Sequence, residues 1–519
     1  MRFFVTALLM FVAIPALSAD PRIQAFESLT GETMAWDESR LENLADALAT
    51  LADDGLDPEA YGESSLRRVA QRLPDDPAEL ACIQSFATQA WLSALHDLSR
   101  GRLNDSSESI WRAHDTASGN MMVALAYTGL DSLAHTLDAA RPQHAEYRAL
   151  RKAHAQLMHH TEPEPPPVPA GPALRVGDDD PRVALLRERL AWLGYATLDA
   201  PADAFYRFDE ALLATVKNFQ QAHHLHADGI VGPRTLAMLN PDLSERIARV
   251  RANLERWRQV SRDLHPTQLR VDTGGARVTL VRNDETVWSS RVQIGQASRP
   301  TPLLQSTITR LTFNPAWVVP PTIMRKDKLP AIRKDIGVLQ RQNLSVIDAS
   351  TGEELDPWSV NWDAPRGILL RQAPGPQGAL GQVAFRFDNP FLVFLHDTPS
   401  QRWFESDQRT TSSGCVRVER ALDLAELLLG TSDANERIDG WLKTNKTREV
   451  RLDEPISILI SHVGATVDAD GHLTLRPDVY GHDAELAAAL ARDMRPAPLP
   501  VCMSATSTAQ LDEARPTLH

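Results

Sequence analysis

Phe391–Arg420 reads FLVFLHDTPSQRWFESDQRTTSSGCVRVER. Its apolar opening, Phe391–Leu395, predicts a strand that delivers His396 at its end. A polar loop follows, then Ser412-Ser413-Gly414-Cys415, then a predicted helix from about Val418 to Leu429 with Gly430 as its stop signal. On this reading Cys415 lies just before a helix N-terminus. The helix dipole there, with Arg417 and Arg420, favours the thiolate. Gly414 permits close approach to the backbone, and the N–H groups around Ser413, Gly414 and Cys415 can converge on an oxyanion. His396 is the candidate general base. A cysteine and a histidine alone would be weak evidence, since most such pairs are coincidence.

Outward from this stretch the texture is β. Arg277–Arg282 and Glu285–Arg291 read as strands joined by a hairpin turn at Asn283-Asp284. Strand-like runs recur at Thr307–Phe313, Gly367–Leu370, Gln382–Phe387 and Ile456–Ile460, and His472–Leu475 follows a turn at Asp470-Gly471. Many short strands with few helices predict a mainly β domain over 266–482. Asp468-Ala469-Asp470 is no calcium loop, because Leu473 stands where such a loop needs glycine. Gly274-Gly275 and the glycines at 375, 378 and 381 lack the strand–turn–helix setting and the lysine of a nucleotide loop.

The first half reads as helical. Residues 20–160 carry helical spacing, clearest at Leu80, Ile83, Phe86, Trp91 and Leu95. Residues 161–172 (TEPEPPPVPAGP) predict a semi-rigid spacer. Residues 173–240 predict three helices, the last preceded by the glycine-rich turn Asp228–Thr235 (DGIVGPRT). His223, His224 and His226 lack metal-site spacing and are read as surface residues. Residues 241–265 predict a linking helix with a highly charged face. Residues 483–519 are expected to be a partly disordered tail.

At 519 residues the chain has room for about three or four domains. Hydrophobic residues make up 43%, which argues against wholesale disorder, and a net charge of −14 argues against a broad nucleic-acid surface. Of three cysteines, Cys82 is read as core, Cys502 as tail and Cys415 as the functional thiol; a four-cysteine metal site is excluded. Residues 1–19 have the charge, apolar run and small-residue end of a cleaved signal peptide, which predicts export to the periplasm; an uncleaved anchor is the other reading.

The central stretch resembles the signature of the L,D-transpeptidases, the YkuD-type catalytic domain, through His396, Gly414, Cys415, Val416 and Arg417. Val292–Pro302 (VQIGQASRPTP), Asn314–Thr322 (NPAWVVPPT) and Arg371–Gly381 (RQAPGPQGALG) fit that family's larger periplasmic branch. Residues 173–240, with LGY, FQ and DGIVGPRT, resemble the small peptidoglycan-binding domain. There are departures. Ser413 replaces the histidine usual before Gly-Cys, Gly378 stands where asparagine is common, and Phe394 stands where tyrosine is common.

The resemblance implies a multidomain α+β protein: helical scaffold, three-helix peptidoglycan-binding domain and mainly β catalytic domain, with a lid insert at about 323–366. It implies Cys415 as nucleophile and His396 as general base and acid. The Asp397 backbone carbonyl would orient His396, and the Ser413 and Gly414 backbone would form the oxyanion hole. Arg417 would fix the catalytic loop or meet a substrate carboxylate. Arg371, alternatively a structural ion-pair residue, and Trp358 are further substrate-binding candidates. The implied reaction joins peptidoglycan stem peptides by 3→3 cross-links through a thioester, with no cofactor or metal, and makes Cys415 a carbapenem target. Other cell-wall synthesis proteins are candidate partners. An L,D-carboxypeptidase and an inactive wall-binding scaffold are the rival readings. A papain-like hydrolase is disfavoured because there the cysteine precedes the histidine, whereas here His396 comes first.

Overall fold

The computed structural model describes residues 21–31, 35–103, 111–112, 120–195, 205–375, 377–406, 409–468 and 470–493. The expected signal peptide, Cys502 and the end of the expected tail lie outside them. The chain divides into two compact units: Met1–Arg102, Thr116–Gln143 and Arg492–His519 in one, Leu103–Asp115 and His144–Ala491 in the other.

In the first unit, amphipathic helices close around a shared apolar core. The long helix Pro77–Arg100 is capped by Asp76 and buries Ile83, Trp91, Leu95 and Leu98. Trp36 donates its indole N–H to Thr88, and Trp91 donates to the Ala126 carbonyl. Cys82 departs from expectation. It is half-buried and disulfide-bonded, not a core thiol.

The second unit is built on a ten-stranded sheet. Its first hairpin closes at Asn283 and Asp284, both with positive φ, the conformation that a two-residue hairpin loop needs. Leu304–Phe313 pairs with Val383–Phe387 on one side and Arg448–Ser461 on the other. From Val383–Phe387 the order runs through Leu395–His396, Val416–Val418, Glu285–Gly295, Arg277–Arg282 and Gln268–Asp272 back to Arg448–Ser461. The sheet thus closes on itself like a barrel. Alternate residues, among them Leu280, Val292, Ile308, Phe385 and Leu395, fill its apolar core. Closure also leaves fewer exposed strand edges.

Several local expectations change. Phe391–Phe394 is not strand: Asn389 folds the segment back by accepting from the N–H groups of Phe391 and Val393, and Leu392 takes a φ of 56°. Phe391 and Leu392 are 46% and 59% exposed, and the strand is only Leu395–His396. The helix after the cysteine begins at Ala421, because Val416–Val418 is a strand paired on both sides. The segment Trp317–Gln372 is a folded body: a four-stranded sheet packs on short helices around Val319, Ile332, Val346 and Leu370.

The three helices Arg182–Trp192, Glu210–Ala222 and Pro233–Leu239 enclose Leu186, Phe208, Val216 and Leu239. The proline-rich segment beside them is anchored at two points. Asn240 bonds both backbone groups of buried Val168, and Arg189 pairs with Glu164. His223 is buried, not a surface residue. Its Nδ1 lies 2.6 Å from the Leu475 carbonyl, so that nitrogen carries the proton, and burial drives its pKa down to about 3.

The linking helix Leu243–Val260 hides its charges. Arg249 and Arg256 pair with buried Asp483, and Arg258 pairs with Glu255. Asp483 belongs to a helix, His482–Asp493, so the expected tail starts as packed structure. The helix Ala145–Met158, expected in the scaffold, packs through Tyr147 and Leu150 onto the linking helix. Among the described residues no helix is long and apolar enough to cross a membrane.

Candidate active site

Strand register assembles the site. Leu395 pairs with Val416 and His396 with Arg417, in parallel. Side chains alternate along a strand, so Leu395 and Val416 enter the core, while His396 and Arg417 share the opposite face; Cys415 directly precedes this strand and packs against the edge of the core. The adjoining strand pairs Ala384 with His396, which brings Arg386 to the same face; its guanidinium lies 4.6 Å from the Phe394 ring centre. On the other side Arg417 pairs with Gln293 and donates to its side-chain oxygen at 3.2 Å.

His396 is buried. Its Nδ1 lies 2.5 Å from the Asp397 carbonyl. A carbonyl only accepts, so Nδ1 carries the proton and Nε2 keeps its lone pair. Burial, with Arg417 and Arg386 nearby, lowers the His396 pKa to about 3. Burial also pushes the Cys415 thiol up, against the opposing pull of the Phe394 backbone, Arg417 and Arg386. The resting pair is therefore neutral thiol and neutral imidazole. This corrects the thiolate expected from a helix dipole: five residues separate Cys415 from the first residue of the helix, and the dipole effect is confined to a helix's end turns.

The loop before the cysteine is braced from within. Ser412 Oγ donates to the Cys415 carbonyl at 2.5 Å and accepts the Gly414 N–H at 3.1 Å. Thr301 Oγ1 donates to the Gly414 carbonyl at 3.0 Å and accepts the Gly295 N–H at 2.9 Å. Tyr480 donates to the Gly295 carbonyl at 2.6 Å. Gly414 has a φ of 110°, which side-chain-bearing residues rarely adopt. Gly381 lies so close to Asp397 that an added Cβ would sit 2.4 Å from its carboxylate.

Residues 266–455 match the family model described as the L,D-transpeptidase catalytic domain, YkuD. The chain carries a YkuD-type L,D-transpeptidase domain. Residues 22–153 match the scaffold domain, and residues 179–239 match the "Putative peptidoglycan binding domain". A "Putative L,D-transpeptidase" from Haemophilus influenzae is 30% identical over 283 residues, 53% of this chain and 56% of that one. The match thus spans little more than half the relative's length. The crystal structure of an L,D-transpeptidase from Xylanimonas cellulosilytica aligns with 58% of this chain and 100% of its own at 18% identity, with a TM-score of 0.17.

In the transpeptidase domain, Cys415 and His396 lie on adjoining chain segments and both feel the charges of Arg417 and Arg386, with the Asp397 carbonyl holding His396. The Gly414 N–H is taken by Ser412, so the oxyanion reading now rests on the N–H groups of Ser413 and Cys415. Arg371 is exposed on a strand of the smaller sheet, and Trp358 is 78% exposed on a short turn of the same body. Sequence reasoning missed Arg386, Gln293, Ser412 and Thr301. Thr301 lies in the quoted Arg-Pro-Thr-Pro text, but Arg386 and Gln293 reach the site only through register. Asp468, Asp470 and His472 bring possible metal-ligand atoms within 4.8 Å of one another, on a hairpin at the far end of this unit's sequence.

Proposed function

We propose that the protein is a peptidoglycan L,D-transpeptidase that forms 3→3 cross-links through a Cys415 thioester. The supporting observation is the parallel pairing that sets His396 beside the strand directly after Cys415, with Nδ1–H held by the Asp397 carbonyl. Cys415 Sγ attacks the carbonyl between the diamino acid at position 3 and D-alanine at position 4, while its proton passes to His396 Nε2. The new C–S bond forms, and the tetrahedral oxyanion is met by N–H groups of Ser413 and Cys415. The C–N bond then breaks, and His396 returns the proton to the departing D-alanine amine. An amine from a neighbouring stem attacks the thioester and gives its proton to His396. The C–S bond breaks, and the thiol is restored.

The peptidoglycan-binding match supports the cell wall as substrate. The disulfide at Cys82 supports an exported protein, and cell fractionation tests the periplasmic placement. Incubation with tetrapeptide muropeptides, with products analysed by mass, tests the reaction. Cross-linked dimers that vanish in Cys415→Ala support transfer; tripeptides alone would make the protein a carboxypeptidase; unchanged substrate would sink both.

A further inference from the structure

Arg299 takes no part in the chemistry just described. It is not among the charges that shift Cys415 or His396. Yet its loop lies against the catalytic glycine: a Cβ on Gly414 would sit 3.4 Å from the Pro300 carbonyl. The loop is anchored two residues on by buried Thr301, which bonds Gly414. Arg299 Nη1 donates to Ser413 Oγ at 2.8 Å. The same guanidinium grips both oxygens of Asp327, at 2.6 and 2.7 Å. Asp327 lies on the π-helical turn Met324–Lys328 of the folded insert.

A planar guanidinium holding a carboxylate through two parallel bonds is the strongest form of such recognition. Here the carboxylate comes from the insert and sits beside the catalytic Ser-Gly-Cys loop. The side chains are 17% and 38% exposed, so water competes for the pair and a second carboxylate can replace the first at small cost. Arg417 bonds Gln293 through Nη1 while its buried Nε has no hydrogen-bond partner, and Arg386 lies over Phe394 and bonds Thr312.

We propose that Arg299 is the binding site for a substrate carboxylate and that Asp327 occupies it until substrate arrives. This rests on the transpeptidase reading, in which the two donor carboxylates on the residues flanking the scissile bond are the D-alanine terminus and the distal group of the diamino acid. Arg299 binds one of them and orients the donor, and displacement of Asp327 couples that event to the insert.

The test is steady-state kinetics of the full chain with three donors: free tetrapeptide, its C-terminal amide, and tetrapeptide amidated at the distal diamino-acid carboxylate. For the wild type we expect one amide to have a KM about tenfold above the free acid, which identifies the carboxylate. Asp327→Asn is expected to lower KM for the acid several-fold and leave that amide unchanged. Arg299→Gln is expected to raise KM for the acid about tenfold and erase the acid–amide difference. Arg299→Lys, which keeps the charge but loses the fork, should fall between. Equal KM values for all three donors in the wild type, or equal losses on acid and amides in Asp327→Asn, would reduce the pair to a structural latch and overturn the proposal. Should Arg299→Gln fail to fold, the Asp327→Asn comparison decides alone. A wild type that turns over no stem peptide would refute the transpeptidase reading itself, a separate result.

Discussion

The neutral resting pair makes a prediction about reactivity that separates burial from dipole activation. An ordinary thiol with a pKa of about 8.5 is about 3% thiolate at pH 7. Burial raises Cys415, so its thiolate fraction is smaller still. With His396 at about 3, only ~1 imidazole in 10⁴ is protonated at pH 7, and a preformed ion pair is essentially unpopulated. The assay is alkylation of Cys415 by iodoacetamide in the full chain between pH 5 and 10. The logarithm of the rate should climb by about one per pH unit from pH 5 to 8 with no plateau, because only the thiolate reacts. Arg417→Gln removes a cation that favours the thiolate and should slow alkylation at a fixed pH. His396→Ala should keep the shape of the profile while stem-peptide turnover falls by roughly 10²–10⁴. An inflection or plateau below pH 6 would refute the reasoning, since it would mean a thiolate already paired with imidazolium.

Thr301→Val keeps shape but strands the Gly295 N–H and the Gly414 carbonyl. It should cost about 2 kcal/mol, or roughly 4–8 °C in the melting temperature of a domain this size, and lower kcat, whereas Thr301→Ser should retain both. Gly381→Ala, at a φ of 59°, drives a methyl into Asp397 and should lower kcat more than it changes KM by moving the carbonyl that holds His396. Folded-state values of about 3 for His396 and His223 lie below the unfolded value of about 6.5. The unfolded chain then binds more protons between pH 3 and 6.5, so stability is lost as pH falls through that window. Melting at stepped pH checks this, and His223→Gln should flatten the decline.

What the sequence discloses and what it hides have different physical origins. The hairpin at Asn283-Asp284 is legible because positive φ at both positions selects those residue types and alternation marks the flanking strands. His396 and Cys415 are legible because the words around them are specific. The geometry that joins them is not, because it resides in a parallel pairing of two short strands. Val416–Val418 is too short to show its alternation before the apolar helix starts, so its last residue is read as the start of that helix. The arginines of Leu243–Val260 read as a solvated face because their buried partner Asp483 lies 227 positions beyond Arg256. Arg386 and Gln293 are hidden for the same reason: nothing local tells a strand which neighbours it will meet.

Burial answers a question that the cysteine arithmetic raises. Cys82 is disulfide-bonded while Cys415 is free. A thiol activated permanently by a helix end would present thiolate to every disulfide and oxidant it met, since thiolate is the attacking species in exchange and oxidation alike. The site achieves selectivity by withholding the charge. The thiol stays protonated among Phe394, His396 and the core edge, and its base stays neutral with the lone pair already turned outward from Asp397. In the proposed mechanism, deprotonation becomes favourable only when a carbonyl carbon lies at Sγ, because sulfur shares its developing charge with the new bond as His396 takes the proton. Arg417 and Arg386 contribute at that stage: they lower the thiol's pKa and also that of the histidine, which weakens any standing ion pair while favouring negative charge on the reacting atoms. On that mechanism, the features that make Cys415 a poor free nucleophile are the ones that would reserve it for a substrate seated against the Ser413–Cys415 loop.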